Sequence, residues 1–386
     1  MPWKKVSIME QRKEFLAFAR QPGANRAELC RRFGLSRNTA YRLLARADAG
    51  GPDALAELSR RPHHCPGQTP QAVETHILAV RDAHPAWGAR KLHVYLSRES
   101  GLVLPAPSTI TAILRRNLRL PPLAEAPQRP YKRFERDAPN DLWQMDFKGH
   151  FKLREGRCHP LTLLDDHSRF NLCLDACADE TATTVKACLT KLFRRYGLPN
   201  QILCDNGSPW GCGLQRHTVI SVWLLHLGIH VTHGRPSHPQ TQGKEERFHK
   251  TLKAEVLRDR LFDDGPHCQR VFEAWRDVYN LERPHEALGG AVPASRYQPS
   301  PRAFPEVLPP LEYSPGDLVR KVQDRGLVKF KGLDFWLSKA FHGYPIALRP
   351  QNIDGCFWVY FGRFKIGRLD LKQPGLVLDP ESQHAK

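Results

Sequence analysis

The sequence predicts a multidomain chain with an all-α N-terminal third, an α/β centre and a small β-rich C-terminal unit. Three observations carry that reading. Apolar residues recur at helical spacing as far as about residue 118, short apolar runs alternate with amphipathic helical stretches between 141 and 298, and five β-rich runs punctuated by glycine and proline follow residue 316. A length of 386 residues leaves room for roughly two to four domains, each with a core of its own.

The first helix is expected from Ile8 to Arg20, where Phe15, Leu16 and Ala19 share a face and Gln21-Pro22-Gly23 breaks the pattern. Next come a short helix from Arg26 to Phe33, a tight turn at Gly34-Leu35-Ser36 with Ser36 placed to cap, and a helix from Arg37 to Arg46. Helix, three-residue glycine turn, helix is the helix-turn-helix pattern. Its second helix enters the major groove by its N-terminal end, which makes Arg37, Asn38, Tyr41 and Arg42 the candidate DNA contacts of a domain spanning residues 1–60. A second, less regular unit over 61–118 is expected to hold helices from Gln71 to Ala83 and from Ala89 to Glu99, and a third opened by Ser108. Thr109, Thr111, Arg115 and Arg116 lie on the polar side of that third helix, which is expected to be a second DNA recognition helix in a helix-turn-helix-like domain. Residues 119–140 mix five prolines with Arg129, Lys132, Arg133 and Arg136, the composition of an extended basic linker.

From Asp141 three consecutive strands are expected, in LWQMDF, CHPLTLLDD and RFNLCLDACA, then a helix from Thr181 to Tyr196 and a strand from Gln201 to Cys204 that delivers Asp205 at its tip. A helix near Thr218–Leu227, a strand at Ile229–Thr232 and a long helix from about Gln242 complete the set. That order is the order of the ribonuclease-H-like fold. Asp146, Asp205 and Glu246 sit at the ends of different elements, where they can converge. Three carboxylates together repel unless a divalent cation neutralises them, and hard cations such as Mg²⁺ take a few carboxylates plus water and phosphate oxygens. Alone, Asp-Asn-Gly marks only a turn; the ordered set is what argues for phosphoryl-transfer chemistry on nucleic acid.

Charge agrees. Lys and Arg number 58 against 40 Asp and Glu, for a formal net charge of +18, which points to a polyanionic partner. The surplus is concentrated at the flanks: residues 1–140 hold 24 basic and 12 acidic residues, whereas 141–300 hold 21 and 19. No apolar run reaches the ~18–20 residues of a membrane span, and Met1 leads into Trp3, Lys4 and Lys5 without an apolar leader, so a cytoplasmic protein is expected. The ten cysteines form no Cys-x-x-Cys pair and are expected as buried thiols.

The runs WQMDF, CDNGSPW, RPSHPQTQGKEERFHKTLK and YNLERPHEALGG resemble the integrase core of bacterial insertion-sequence transposases, the DDE class related to retroviral integrases. The likeness is close over about residues 140 to 300, and domain bounds of 141–298 are taken for the core. It implies that Asp146, Asp205 and Glu246 are the catalytic, metal-binding triad, served by Mg²⁺ or Mn²⁺. It also implies hydrolysis at element ends, strand transfer by the freed 3′-hydroxyl, and at least a homodimer on paired ends. No His-His-Cys-Cys module is present, so no zinc is expected. Asp205 and Glu246 are separated by 40 residues, more than the family's usual spacing, and the extra loop is placed at Gly211-Cys212-Gly213.

Adjacent helix residues point about 100° apart, so only one of Glu245 and Glu246 can face the metals. The family's Glu-Arg step favours Glu246, and so does the basic face it shares with His249, Lys250 and Lys253, a stripe expected to hold the DNA backbone; Glu245 is then expected at the surface. Asp165 and Asp166 are left as turn residues, and Arg283-Pro284-His285 as structural. After a second linker, 299–315, residues 316–386 are expected to close a small SH3-like β-barrel made mildly basic by Lys321, Lys329, Lys331, Arg363, Lys365 and Arg368. A DNA transposase is the leading function; a DNA-binding regulator with an unused core and a nuclease that cuts without joining are the rivals.

Overall fold

The computed structural model describes residues 7–50, 55–56, 67–98, 101–120, 135–211, 217–234, 243–372 and 375–378. Most of the basic linker, the loop expected at Cys212-Gly213 and the run 235–242 lie outside the described residues. The chain divides into two compact units, 1–68 and 69–386.

The first unit is three helices, α1 (Ile8–Ala19), α2 (Arg26–Arg32) and α3 (Arg37–Gly50). Ser7 and Glu10 cap α1 reciprocally, Asn25 caps α2, and Ser36 Oγ accepts the Thr39 backbone N–H at 3.1 Å at the start of α3. Gly34 makes the turn at φ +61°, a conformation that disfavours a side chain. Phe15, Leu16, Ala19, Cys30, Ala40, Leu43 and Leu44 form the core.

The second unit opens with α4 (Gln71–Ala83), α5 (Ala89–Leu96) and α6 (Pro107–Arg116), packed around Ile77, Trp87, Leu92, Leu96, Ile110, Ile113 and Leu114. This trio is docked on the α/β core. Arg98 donates to the carbonyls of Glu282 and Gly290 at 2.9 and 3.1 Å, and Arg90 pairs with Glu286 at 3.1 Å.

The core sheet contains β1 (Trp143–Phe147), β2 (Phe151–Lys152), β3 (Arg157–Asp165), β4 (Asn171–Cys177), β5 (Gln201–Cys204) and β6 (His230–His233). Across it the order is β4, β3, β1, β5, β6, and the short β2 pairs with the start of β3. β3 pairs antiparallel with both β4 and β1, and β5 and β6 continue in parallel with β1. This is the ribonuclease-H-like arrangement. Helices α7 (Ala182–Tyr196) and α8 (Val219–His226) bury Val185, Leu189, Phe193, Ile220 and Leu224 against one face. On the other face lie α9 (Gly243–Leu252), continued by a π-helical turn at Lys253–Leu257, and α10 (Gly265–Asp277), contributing Phe248, Leu252, Val256 and Phe272. Sheets with helices on both faces bury their strands on both sides, which is why β3 reads as a nearly continuous apolar run.

The segment from 299 to 315 is a strap rather than a free connector. Ser300 donates to the Tyr196 carbonyl, Leu198 to the Arg302 carbonyl, and the Arg302 guanidinium bridges Pro199, Leu227 and Gly228 carbonyls. At Gly197 a Cβ would lie 2.6 Å from the Ser300 carbonyl oxygen, so glycine is required for this crossing.

The C-terminal unit is all-β but differs from the closed barrel expected. Strands β7 (Leu318–Lys321), β10 (Pro345–Pro350), β11 (Cys356–Phe361), β12 (Phe364–Asp370) and β13 (Gly375–Leu378) form an open antiparallel sheet, while β8 (Leu327–Phe330) and β9 (Leu333–Trp336) make a separate hairpin. Val328, Phe330 and Phe335 of the hairpin pack on Ile346, Leu348, Phe357 and Val359 of the sheet. Side-chain packing, not strand pairing, holds the two together among the described residues. Val222 and Leu225 of α8 enter the same apolar cluster, joining this unit to the core. No described helix is long and apolar enough to cross a membrane.

Candidate active site

Parallel pairing sets Trp143 beside Ile202 and Gln144 beside Leu203. Continuing that register two residues brings Asp146 alongside Asp205, which follows directly after β5. Burial, and then the Asp205 charge, push the Asp146 carboxyl up to about 7. A buried carboxyl whose ionisation is opposed by a neighbouring aspartate makes, together with it, a fitting donor pair for a hard divalent cation, which removes the repulsion.

Asp205 is held by its own loop. The Trp210 indole N–H donates to Oδ1 at 2.5 Å and the Gly207 N–H to the same oxygen at 3.0 Å. Trp210 stacks on Phe147 of β1, with ring centroids 5.3 Å apart. Gly211 keeps the loop tight: a Cβ there would lie 2.6 Å from the Asn206 carbonyl oxygen. Neither Trp210 nor Phe147 was singled out from the sequence, although the tryptophan in CDNGSPW was in view.

The two glutamates divide differently from expectation. Glu245 is not at the surface; it is fully buried, and its Oε2 lies 3.1 Å from the Thr162 hydroxyl. Burial, then Asp146, raises its carboxyl well above the ordinary range. Glu246 points outward, 59% exposed, and pairs with Lys250 at 2.7 Å. His249 also turns inward, contrary to its expected place in a DNA-facing stripe. Its Nε2 is 2.9 Å from the Thr162 hydroxyl and its Nδ1 3.8 Å from the Asp146 carboxylate. Burial, then Lys148, lowers this imidazole to about 4, leaving it neutral near pH 7. The cause is helical spacing: Phe248 and Leu252 are buried, and Glu245 and His249 share their face, one turn apart. Glu246, Lys250 and Lys253 take the outer face. Among the described residues no three His, Cys, Asp or Glu side chains stand close enough together to hold an ion.

Asp165 and Asp166 are more than turn formers. Asp165 accepts the Asn140 and Ser168 backbone N–H groups, each at 2.7 Å. Asp166 accepts from buried Gln144 at 2.7 Å and pairs with Lys244 at 2.5 Å, tying β1 to the first turn of α9. Arg283, expected to be structural, is buried on Glu255 at 3.0 Å.

Residues 136–239 and 227–293 match two families described as integrase core domain, and residues 317–375 match the C-terminal domain of IS481 family transposases. These matches, with the insertion-element proteins below, support an insertion-sequence DDE transposase with an integrase-like core. Further matches are to a helix-turn-helix domain over 11–63 and a homeodomain-like domain over 39–114. Among similar proteins is the uncharacterized 39.2 kDa protein of insertion element IS476 of Xanthomonas euvesicatoria, 26% identical over 62% of this chain and 69% of its own length. Another is the 31.7 kDa protein of insertion element IS407 of Burkholderia multivorans, 25% identical over 60% of this chain and 79% of its own length. Among solved structures, a chain of the simian T-cell lymphotropic virus intasome, in complex with PP2A regulatory subunit B56 gamma, is 16% identical, with a TM-score of 0.37 over 79% of this chain and 99% of that one.

The candidate DNA contacts of α3, namely Arg37, Asn38, Tyr41 and Arg42, are all exposed near the helix N-terminus. On α6, Thr109 and Arg115 are exposed, whereas Arg116 is committed to a bidentate pair with Glu74.

Proposed function

We propose that this chain is a DNA transposase that binds element ends, cleaves them and joins the freed 3′-hydroxyl to target DNA. The observation that carries the reading is the convergence of Asp146 and Asp205 at the ends of adjacent parallel strands, where burial, and then the Asp205 charge, oppose the ionisation of Asp146. Asp146, Asp205 and Glu246 would hold the divalent cation, Mg²⁺ or Mn²⁺ in its place. Glu246 is preferred to Glu245 because its carboxylate is open to a hydrated ion, while Glu245 is sealed against Thr162. When bound, such cations activate an attacking oxygen and stabilise the leaving oxygen of an in-line displacement at phosphorus.

The protein's own residues prepare that chemistry. Trp210 and Gly207 fix the orientation of Asp205, and Asp166 anchors Lys244 so that the first turn of α9 is held to β1. Lys250 and Lys253 lie exposed on the outer face of the α9 helix, suited to a phosphate backbone. The exposed residues of α3 and α6 supply the recognition surface. Two ends must be held for joining, so the active form is at least a dimer.

The test is incubation of a labelled duplex carrying an element end with Mg²⁺ or Mn²⁺ and a target duplex. Both a nicked end and a joined product are expected. Nicking without joining would identify a nuclease, and binding with neither would identify a DNA-binding regulator.

A further inference from the structure

We propose a second DNA-backbone site in the cleft between the corner that follows α4 and the far end of the α9 helix. The proposal rests on the transposase reading above and adds a contact outside the triad and the recognition helices. The cleft has a volume of about 980 Å³ and is lined by His84 and Trp87 on one side and by Arg258, Arg260, Arg270 and Trp275 on the other.

Its charge is left uncompensated. Arg258, Arg260 and Arg270 are exposed, and among the described residues none of them is paired with a carboxylate. Of the two acidic residues in the lining, Glu255 is already engaged by the Arg283 guanidinium and the Trp275 indole, each at 3.0 Å. Asp259 alone remains against three guanidiniums, a surplus that suits a phosphodiester backbone. On the opposite wall the half-buried His84 stacks on the buried Trp87 with ring centroids 3.8 Å apart, which fixes its ring beside the exposed Pro85 and Ala86.

Both walls belong to one compact unit, clamped by Arg98 and Arg90. The cleft is therefore built before DNA arrives. Its position relative to the triad follows from helix geometry. Glu246 stands near the start of α9 and Arg258 immediately after the π-helical turn that continues it, twelve residues later. That separation is on the order of 15–20 Å along the axis. Lys250 and Lys253 are exposed between the two points. At about 3.4 Å per base pair, a strand whose end lies at Asp146 and Asp205 reaches the arginines after about five nucleotides.

The experiment is a salt titration of full-length protein on a random-sequence duplex, comparing wild type with R258Q/R260Q/R270Q and with R270Q alone. The log–log slope of affinity against salt is expected to become shallower by about two to three for the triple variant and by about one for R270Q. A second arm uses end duplexes with single neutral methylphosphonates. Substitution about four to six nucleotides from the cleaved bond should weaken wild-type binding and leave the triple variant unaffected. Wild-type binding with an unchanged slope in both variants would overturn the cleft. A wild type without salt-dependent DNA binding would overturn the transposase reading beneath it.

Discussion

Glu246→Gln keeps the size of the side chain and removes its charge, so Mg²⁺-dependent cleavage and joining should be lost while DNA binding persists. Asp146→Asn and Asp205→Asn should behave alike, each followed by gel assay of a labelled end. An active Glu246→Gln beside an inactive Glu245→Gln would move the third carboxylate to Glu245. Trp210→Phe retains the stack on Phe147 but deletes the N–H that orients Asp205. Losing an outer partner of a ligand typically costs about 10–100-fold in metal affinity or activity, and that range is expected here at unchanged melting temperature. Asp146 also gives a pH signature. Its folded-state value is raised from 3.8 to about 7, so in metal-free protein its contribution to stability is full below about 4 and is lost as pH rises towards 7. Denaturant titrations across that window should show a declining stability that Asp146→Asn flattens. The meeting of Asp146 and Asp205 was legible because strand ends and the Asp-Asn-Gly turn mark their positions. Glu245 and His249 were misread because charge was taken as a sign of exposure, whereas Phe248 and Leu252 had already marked their face of the helix as the buried one.

Between elements, the docking of α5 on the core contains a weak point. Lys91 is lowered to about 8, chiefly by burial and then by Arg283, so the charge it still carries near neutrality is held at a cost to the folded state. Lys91→Met should stabilise the protein by on the order of 1–2 kcal/mol near pH 7, read as a higher denaturant midpoint. The same pKa predicts that wild-type stability rises as pH increases from about 8 towards 10.5, and that the variant lacks this rise. Helices and strands were readable to within a few residues, since periodicity, caps and glycine or proline breaks are local signals. How the C-terminal strands pair was not. Alternating apolar residues in LVKFKGLDFW specify a hairpin with a buried face, but nothing local says whether its edges hydrogen-bond to β7 and β13 or only pack on them. The strap at Ser300–Arg302 was likewise hidden, because the backbone carbonyls that hold the Arg302 guanidinium lie 74 to 103 residues away.

At the scale of the molecule, residues 1–68 and 69–386 each have their own core, and fragments cut at this point should both unfold cooperatively when heated separately. Removing residues 316–386 should behave differently. Val222 and Leu225 of α8 are buried among Val328, Phe341, Ile346 and Phe361, and stripping that cover exposes two apolar side chains at roughly 1.5–3 kcal/mol each. Against a total stability of about 5–15 kcal/mol, a clear fall in melting temperature is expected for the truncated protein. Helix α8 thus has two masters, with Ile220 and Leu224 answering to the α/β core sheet and Val222 and Leu225 to the C-terminal one. Across generations these two parts must then travel as a single heritable block. A recombination that exchanged the tail between lineages would succeed only where the incoming tail met a matching outer face on α8, so substitutions at Val222 and Leu225 should track those at Ile346 and Phe361.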